Sequence, residues 1–180
     1  MSIQNVLRMG HPILQQLARP VRDASAPEIQ QLIHDLRDTM RAHHGAGLAA
    51  PQIGQSVQVV IYGTGAPNPR YPEAPTIAET ILMNPSLEPI GTETESGWEG
   101  CLSVPGLRGE VRRWKRLRIQ ALDSRGQELE RVLEGFEARV VQHECDHLNG
   151  ILFPQKLTSN QRFGYIEELI TSGQIPAVPG

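Results

Sequence analysis

Residues 142–150 read QHECDHLNG, setting His143 and His147 four positions apart with Glu144 beside the first. On an α-helix, positions i and i+4 share a face, so two imidazoles at this spacing can reach one metal ion. Glu144 projects from a neighbouring direction, where a carboxylate can sit near a metal-bound water without being a ligand. The chemistry this suggests is metal-assisted hydrolysis. Solvated helical histidines also occur at this spacing by chance, so a third ligand has to decide.

Two candidates present themselves. Glu167 lies 20 residues after His147, a separation that resembles thermolysin-like zinc proteases and would make the chain an endopeptidase. It sits, however, in a short amphipathic stretch whose exposed face would carry glutamates in any case. Cys101 lies upstream in EGCLSVPG at 99–106, at the end of an extended segment and flanked by Gly100 and Pro105. A thiolate with two imidazoles leaves the fourth tetrahedral position open for water, as catalysis requires. Thiolate and imidazole suit zinc and iron(II) alike.

The elements that must position these residues come next. Apolar residues Ile29, Leu32, Ile33, Leu36 and Met40 recur at helical spacing, and Ser25 with Glu28 forms a capping-box pattern with Pro27 in the first turn. The pattern predicts a helix over Ser25–His44, stopped by Gly45 and Gly47. Short β-type runs follow at 57–62, 80–85, 107–113, 117–122 and 128–134. Between the first two, GTGAPNPRYPEAP at 63–75 is too rich in proline and glycine for a regular element and reads as a surface loop. A second helix is predicted from about Phe136 to Leu148, closed by Asn149 and Gly150. A third runs from Thr158, where Gln161 completes a capping box, to about Thr171, and the tail from about 172 is irregular. Helix, strands, then helix reads as α+β, with antiparallel or mixed sheets around the central motif-bearing helix. At 180 residues the whole chain, 1–180, reads as a single catalytic domain.

Seventeen Lys and Arg against 20 Asp and Glu give a formal charge of -3, so composition provides no general drive toward DNA or an anionic membrane. RRWKRLR at 112–118 packs five cations into seven residues and reads as a strand with a solvated outward face. There is no basic segment followed by an apolar run at the start, and no stretch of the roughly 18 apolar residues that a membrane span needs. A cytoplasmic protein is expected, with its two cysteines unpaired. Cys145, two residues from each histidine, points off their face and reads as buried packing.

Three blocks, GAGLAAPQ at 45–52, EGCLS at 99–103 and QHECDHLNG at 142–150, together resemble the signature motifs of the peptide deformylase family, in that family's order. The resemblance runs from about residue 3 to residue 157. It implies removal of the formyl group from the N-terminal formyl-methionine of nascent polypeptides. It also implies that Cys101, His143 and His147 bind the metal, that Glu144 is the general acid and base, and that Gln52 with the backbone N–H of Leu102 holds the oxyanion. Gly45 and Gly47 then let a peptide pair as an added strand, and the metal is Fe2+ with Zn2+, Ni2+ or Co2+ as substitutes. Phe136 and Val140 precede His143 by seven and three positions and so line the helix face nearest the metal, where methionine needs an apolar slot. The resemblance further implies, for many relatives, a basic C-terminal helix that docks on the ribosome. Residues 158–180 hold one cation, Arg162, so transient ribosome contact would fall to the RRWKRLR patch.

Overall fold

A computed structural model of the chain describes residues 3–176. Its elements are α1 (Pro27–Ala42), β1 (Gly47–Ala49), β2 (Val59–Tyr62), β3 (Thr80–Pro89), β4 (Thr94–Cys101), β5 (Val104–Trp114), β6 (Arg116–Leu122), β7 (Glu128–Glu134), α2 (Gly135–Leu148), β8 (Phe163–Tyr165) and α3 (Ile166–Thr171). Five strands form one antiparallel sheet in the order β1-β2-β3-β6-β7, and three form a second in the order β4-β5-β8.

The residues of β2 explain the layering. Successive side chains of a strand point to opposite faces. Val59 and Ile61 pack with Leu32, Ile33, Leu36 and Met40 of α1, while Val60 and Tyr62 pack with Ala138, Val141, Cys145 and Leu148 of α2. Both faces of VVIY are therefore dry, which is why the run is continuously apolar rather than alternating. The other side of α2 meets β5, so the helix lies between the two sheets. Val104, Val111, Leu152 and Phe153 form a third, smaller cluster under the second sheet, with Cys101 at its margin. Truncating a side chain as enclosed as Leu36 costs about 2–5 kcal/mol.

Several expectations are corrected. The capping box at α1 does not form: Ala26 is the N-cap, and Ser25 donates its hydroxyl to Asp23 Oδ1 at 2.6 Å with its N–H on the same oxygen at 2.8 Å. A local Asx turn has captured the serine. The helix closes at Ala42, and the left-handed residue after it is His44 at φ 52°, with neither glycine supplying that conformation. The second helix ends as expected, with Asn149 as C-cap and Gly150 at φ 70°.

Strands β1 and β8 were not foreseen, and β4 was foreseen only as an unspecified extended segment ending at Cys101. The sequence of β4, TESGWEGC, is polar and glycine-containing and lacks the alternation that marks a strand. The strand predicted at 80–85 runs on to Pro89 because a register shift between Met83 and Ser86, with Asn84 at φ 51°, lets Pro85 lie in the ladder. The third helix is only Ile166–Thr171. Thr158 bonds Glu110 instead of capping, and Phe163 packs on the small third cluster while its strand pairs with β5. Residues 172–176 carry no helix or strand, and 177–180 lie outside the described residues.

RRWKRLR is the end of β5, a turn at Lys115 and the start of β6. Arg112, Lys115, Arg116 and Arg118 are exposed, but Arg113 points inward and is only 4% exposed. Residues 63–75 hold no helix or strand, and Tyr71 folds back onto Phe136 with ring centroids 5.1 Å apart. Among the described residues no helix is long and apolar enough to cross a membrane.

Candidate metal centre and active-site cleft

Helix α2 presents His143 and His147 on one face, ring centroids 5.0 Å apart and edge-on. Cys101 ends β4, where the chain folds back into β5 through Leu102 and Ser103. The ligand atoms of Cys101, His143 and His147 all lie within 4.8 Å of one another, and all three residues are buried. Cys101 Sγ is 3.4 Å from His147 Nε2. Burial opposes a thiolate, but the facing imidazoles outweigh it and hold Cys101 well below the ordinary thiol range. His147 Nδ1 is buried without a hydrogen-bond partner. A soft anionic donor and two imidazoles converging at this range fit one divalent ion.

Glu99, two residues before Cys101, organises the wall behind the ligands. Its Oε2 accepts from His143 Nδ1 at 2.9 Å, which leaves Nε2 of that ring to face the thiol. Arg113 donates to both carboxylate oxygens at 2.9 Å, and Arg139 adds a third contact at 2.9 Å. Arg113 also reaches Asp146 at 2.5 Å, and Lys156 closes on Asp146 at 2.8 Å. Although burial raises the Glu99 carboxyl, hydrogen bonds from Arg113 and His143 prevail and hold it well below the usual carboxylate range.

Gln52 is 2% exposed and locked at both ends of its amide. Oε1 accepts from the Ala49 N–H at 2.8 Å, so Nε2 turns to Ser103 Oγ at 3.1 Å and Cys101 Sγ at 3.4 Å. Its amide hydrogens therefore point at the ligand cluster. Glu144 is 4% exposed and its Oε2 has no hydrogen-bond partner. Burial pushes its carboxyl up to about 7, against the pull of the two imidazoles. A Cβ on Gly47 would stand 2.5 Å from Glu144 Oε1, so only glycine lets β1 lie against that carboxylate. A Cβ on Gly45 would stand 3.1 Å from the Gly47 carbonyl oxygen and 3.3 Å from Leu102 Cδ1, which is also tight.

Phe136 and Val140 line the cleft over the ligands, together with Ala46, Gly47 and Trp98. Arg70 and Tyr71 from the 63–75 loop form its rim, and Arg108 donates to Tyr71 Oη at 2.7 Å. Cys145 is buried on the far side of α2, its thiol pushed up by burial. Glu167 is exposed on α3 and takes no part in the Cys–His–His group, which removes the support for a protease-type third ligand.

The structure brings Cys101, His143, His147, Glu144, Gln52, Leu102, Gly47, Phe136 and Val140 together at this cleft, whereas Gly45 is not among the residues lining it. Sequence reading missed Glu99, Arg113 and Asp146. Glu99 was inside a quoted block, and its carboxylate two positions from a proposed ligand, on the same strand face, was the available signal.

The polypeptide deformylase family model matches residues 3–163. Peptide deformylase 1 of Prochlorococcus marinus is 58% identical over 97% of this chain and 91% of its own length. Peptide deformylase 2 of Ralstonia nicotianae is 52% identical over 97% of each chain. Among solved structures, the Met-Ala-Ser-bound class I type b peptide deformylase from Acinetobacter baumannii is 41% identical with a TM-score of 0.83, covering 87% of this chain and 100% of that one. The chain thus belongs to the polypeptide deformylase family, metal-dependent hydrolases that remove the N-formyl group from nascent polypeptides.

Proposed function

We propose that Cys101, His143 and His147 hold one divalent ion, ferrous iron in the cell, and that Glu144, Gln52 and the Leu102 N–H carry out deformylation of formyl-methionyl peptides. The observation that carries this is the convergence of the three ligand atoms within 4.8 Å beside the unpartnered carboxylate oxygen of Glu144. The bound ion supplies a Lewis acid that polarises the formyl carbonyl and acidifies water. Zinc, nickel and cobalt suit the same donor set.

Glu144 accepts a proton as the water oxygen bonds to the formyl carbon. It returns that proton to the methionine nitrogen as the C–N bond breaks, giving formate and a free amine. Charge gathers on the former carbonyl oxygen between these events, and Gln52 Nε2 with the Leu102 N–H donates to it. Losing one such donor typically costs about two to three orders of magnitude in rate. The methionine side chain enters between Phe136 and Val140. The substrate backbone pairs with the free edge of β1, whose other edge is taken by β2.

Glu144 must be ionised to accept the proton. Burial pushes its carboxyl up, and a dication held by Cys101, His143 and His147 would draw it back down, so turnover is lost on the acid side as this carboxylate takes up a proton, at a pH below the metal-free value of about 7. We place transient ribosome contact on exposed Arg112 and Lys115; unchanged co-sedimentation of an Arg112→Gln/Lys115→Gln variant would overturn that. The chain is proposed to act in the cytoplasm as one catalytic domain.

Anaerobic turnover of formyl-Met-Ala-Ser by the parent and by Glu144→Ala, with metal content measured on the same samples, tests the assignment. Formate release that disappears in the variant while metal is retained is the expected result. A metal-loaded variant releasing formate at the parental rate removes Glu144 from the mechanism.

A further inference from the structure

A second cleft adjoins the metal centre. It shares Cys101, Leu102 and Arg70 with the first and continues past His43, Arg8 and Pro105. No acidic residue lines it. Among the described residues neither Arg8 nor Arg70 makes an ion pair. In a chain of net charge -3, an acid-free cleft with two unpaired guanidinium groups is a local feature and does not follow from the protein's general charge.

Strand β1 fixes what enters this cleft. The reacting end of a substrate lies by Cys101 and Gln52, at the Ala49 end of the strand, because Gln52 is tied to the Ala49 N–H. Leu48 and Ala49 are completely buried, so a paired peptide has no exit in that direction. It must run antiparallel to β1, from Gly47 toward Gly45 and His43. At about 3.3 Å per residue, a methionine level with Gly47 puts the third substrate residue level with Gly45 and the fourth beyond it. The chain therefore leaves the metal centre into the Arg8 and Arg70 cleft.

We infer that this cleft receives the third and later residues of the nascent chain and favours acidic side chains there. The inference rests on the site assignment above and adds a substrate class to it. Both arginines reach solvent, so each contributes the modest, salt-sensitive attraction of an exposed pair. Together they are expected to give roughly a tenfold spread in kcat/KM between acidic and basic substrates at low ionic strength.

The test compares kcat/KM for C-terminally amidated formyl-Met-Ala-Asp-Asp, formyl-Met-Ala-Ser-Ser and formyl-Met-Ala-Lys-Lys. Each is measured at about 50 mM and about 500 mM salt, with the metal-loaded parent and the Arg8→Gln/Arg70→Gln variant. Working with ratios between peptides within each enzyme cancels any general loss in the variant. The expected order is acidic, neutral, basic, with the spread collapsing toward one at high salt and in the variant. Equal values in the parent at low salt, or a spread that survives the double substitution, overturns the inference while leaving the deformylase assignment intact. Failure to turn over even the neutral peptide overturns the assignment itself, and the inference with it.

Discussion

Arg113 and Arg116 stand three residues apart in one basic run, yet they occupy opposite electrostatic regimes. Arg113 is 4% exposed at its side chain and pairs with Glu99, itself 4% exposed. Arg116 pairs with Glu134 at a similar 2.7 Å, but the two side chains are 49% and 63% exposed. Ions taken out of water lose hydration that only excellent geometry restores, so removing one partner of a buried pair is far more costly than removing one of an exposed pair. The difference shows that a charge run in sequence says little until the strand pleat assigns each member a face. Alternation along β5 turns Arg113 inward, and the turn at Lys115 restarts the count for β6.

The largest effect expected from this contrast is on folding. Arg113→Met strips Glu99 and Asp146 of their main cation, and urea unfolding of the metal-loaded variant should show a loss of about 3–5 kcal/mol. A loss under about 1 kcal/mol would make the two arginines equivalent and dissolve the comparison.

A smaller, more local effect is expected at the other end of the buried pair. Glu99→Gln keeps two hydrogen-bonding atoms near His143 but removes the charge that fixes its tautomer. Metal affinity measured by chelator competition should fall about 10–100-fold. An unchanged affinity would reduce Glu99 to a purely structural role. The same variant sharpens the acid limb of stability. The folded-state pKa of Glu99 is depressed below 4.5, so its stabilising contribution is complete above that value and is lost as pH falls through the depressed range. The parent should therefore lose stability more steeply below pH 4.5 than Glu99→Gln does.

These contrasts also explain which features the sequence displayed. The Cys101, His143 and His147 group was legible because i, i+4 spacing on a helix and a cysteine in constrained backbone are local patterns, and three blocks together pointed to one family. The VVIY strand and the α1 stripe were legible because burial on two faces or on one leaves a periodic record. The pairing of Arg113 with Glu99 was opaque since it joins residues 14 apart across a hairpin whose register depends on a bulge at 99–101. β4 hid for a related reason: its stability comes from pairing with β5 and from ion pairs, and neither leaves a hydrophobic period. The failed cap at Ser25 was a competition between two local motifs, won by the nearer acceptor on Asp23.

The smallest expected effect tests the exposed side of the comparison. Arg116→Met removes a pair whose side chains are about half in water, so both the lost attraction and the desolvation it leaves behind are small. Unfolding free energy should move by no more than about 1 kcal/mol. Raising salt to about 0.5 M should erase whatever remains, because screening acts within a few ångströms at that strength. The loss in Arg113→Met should persist in the same buffer, since solvent ions do not reach Glu99. Salt sensitivity thus separates the two arginines even if their variants lose similar amounts at low salt. A salt-resistant loss at Arg116 would mean that the β6–β7 edge is protected from solvent in a way its exposed side chains do not allow.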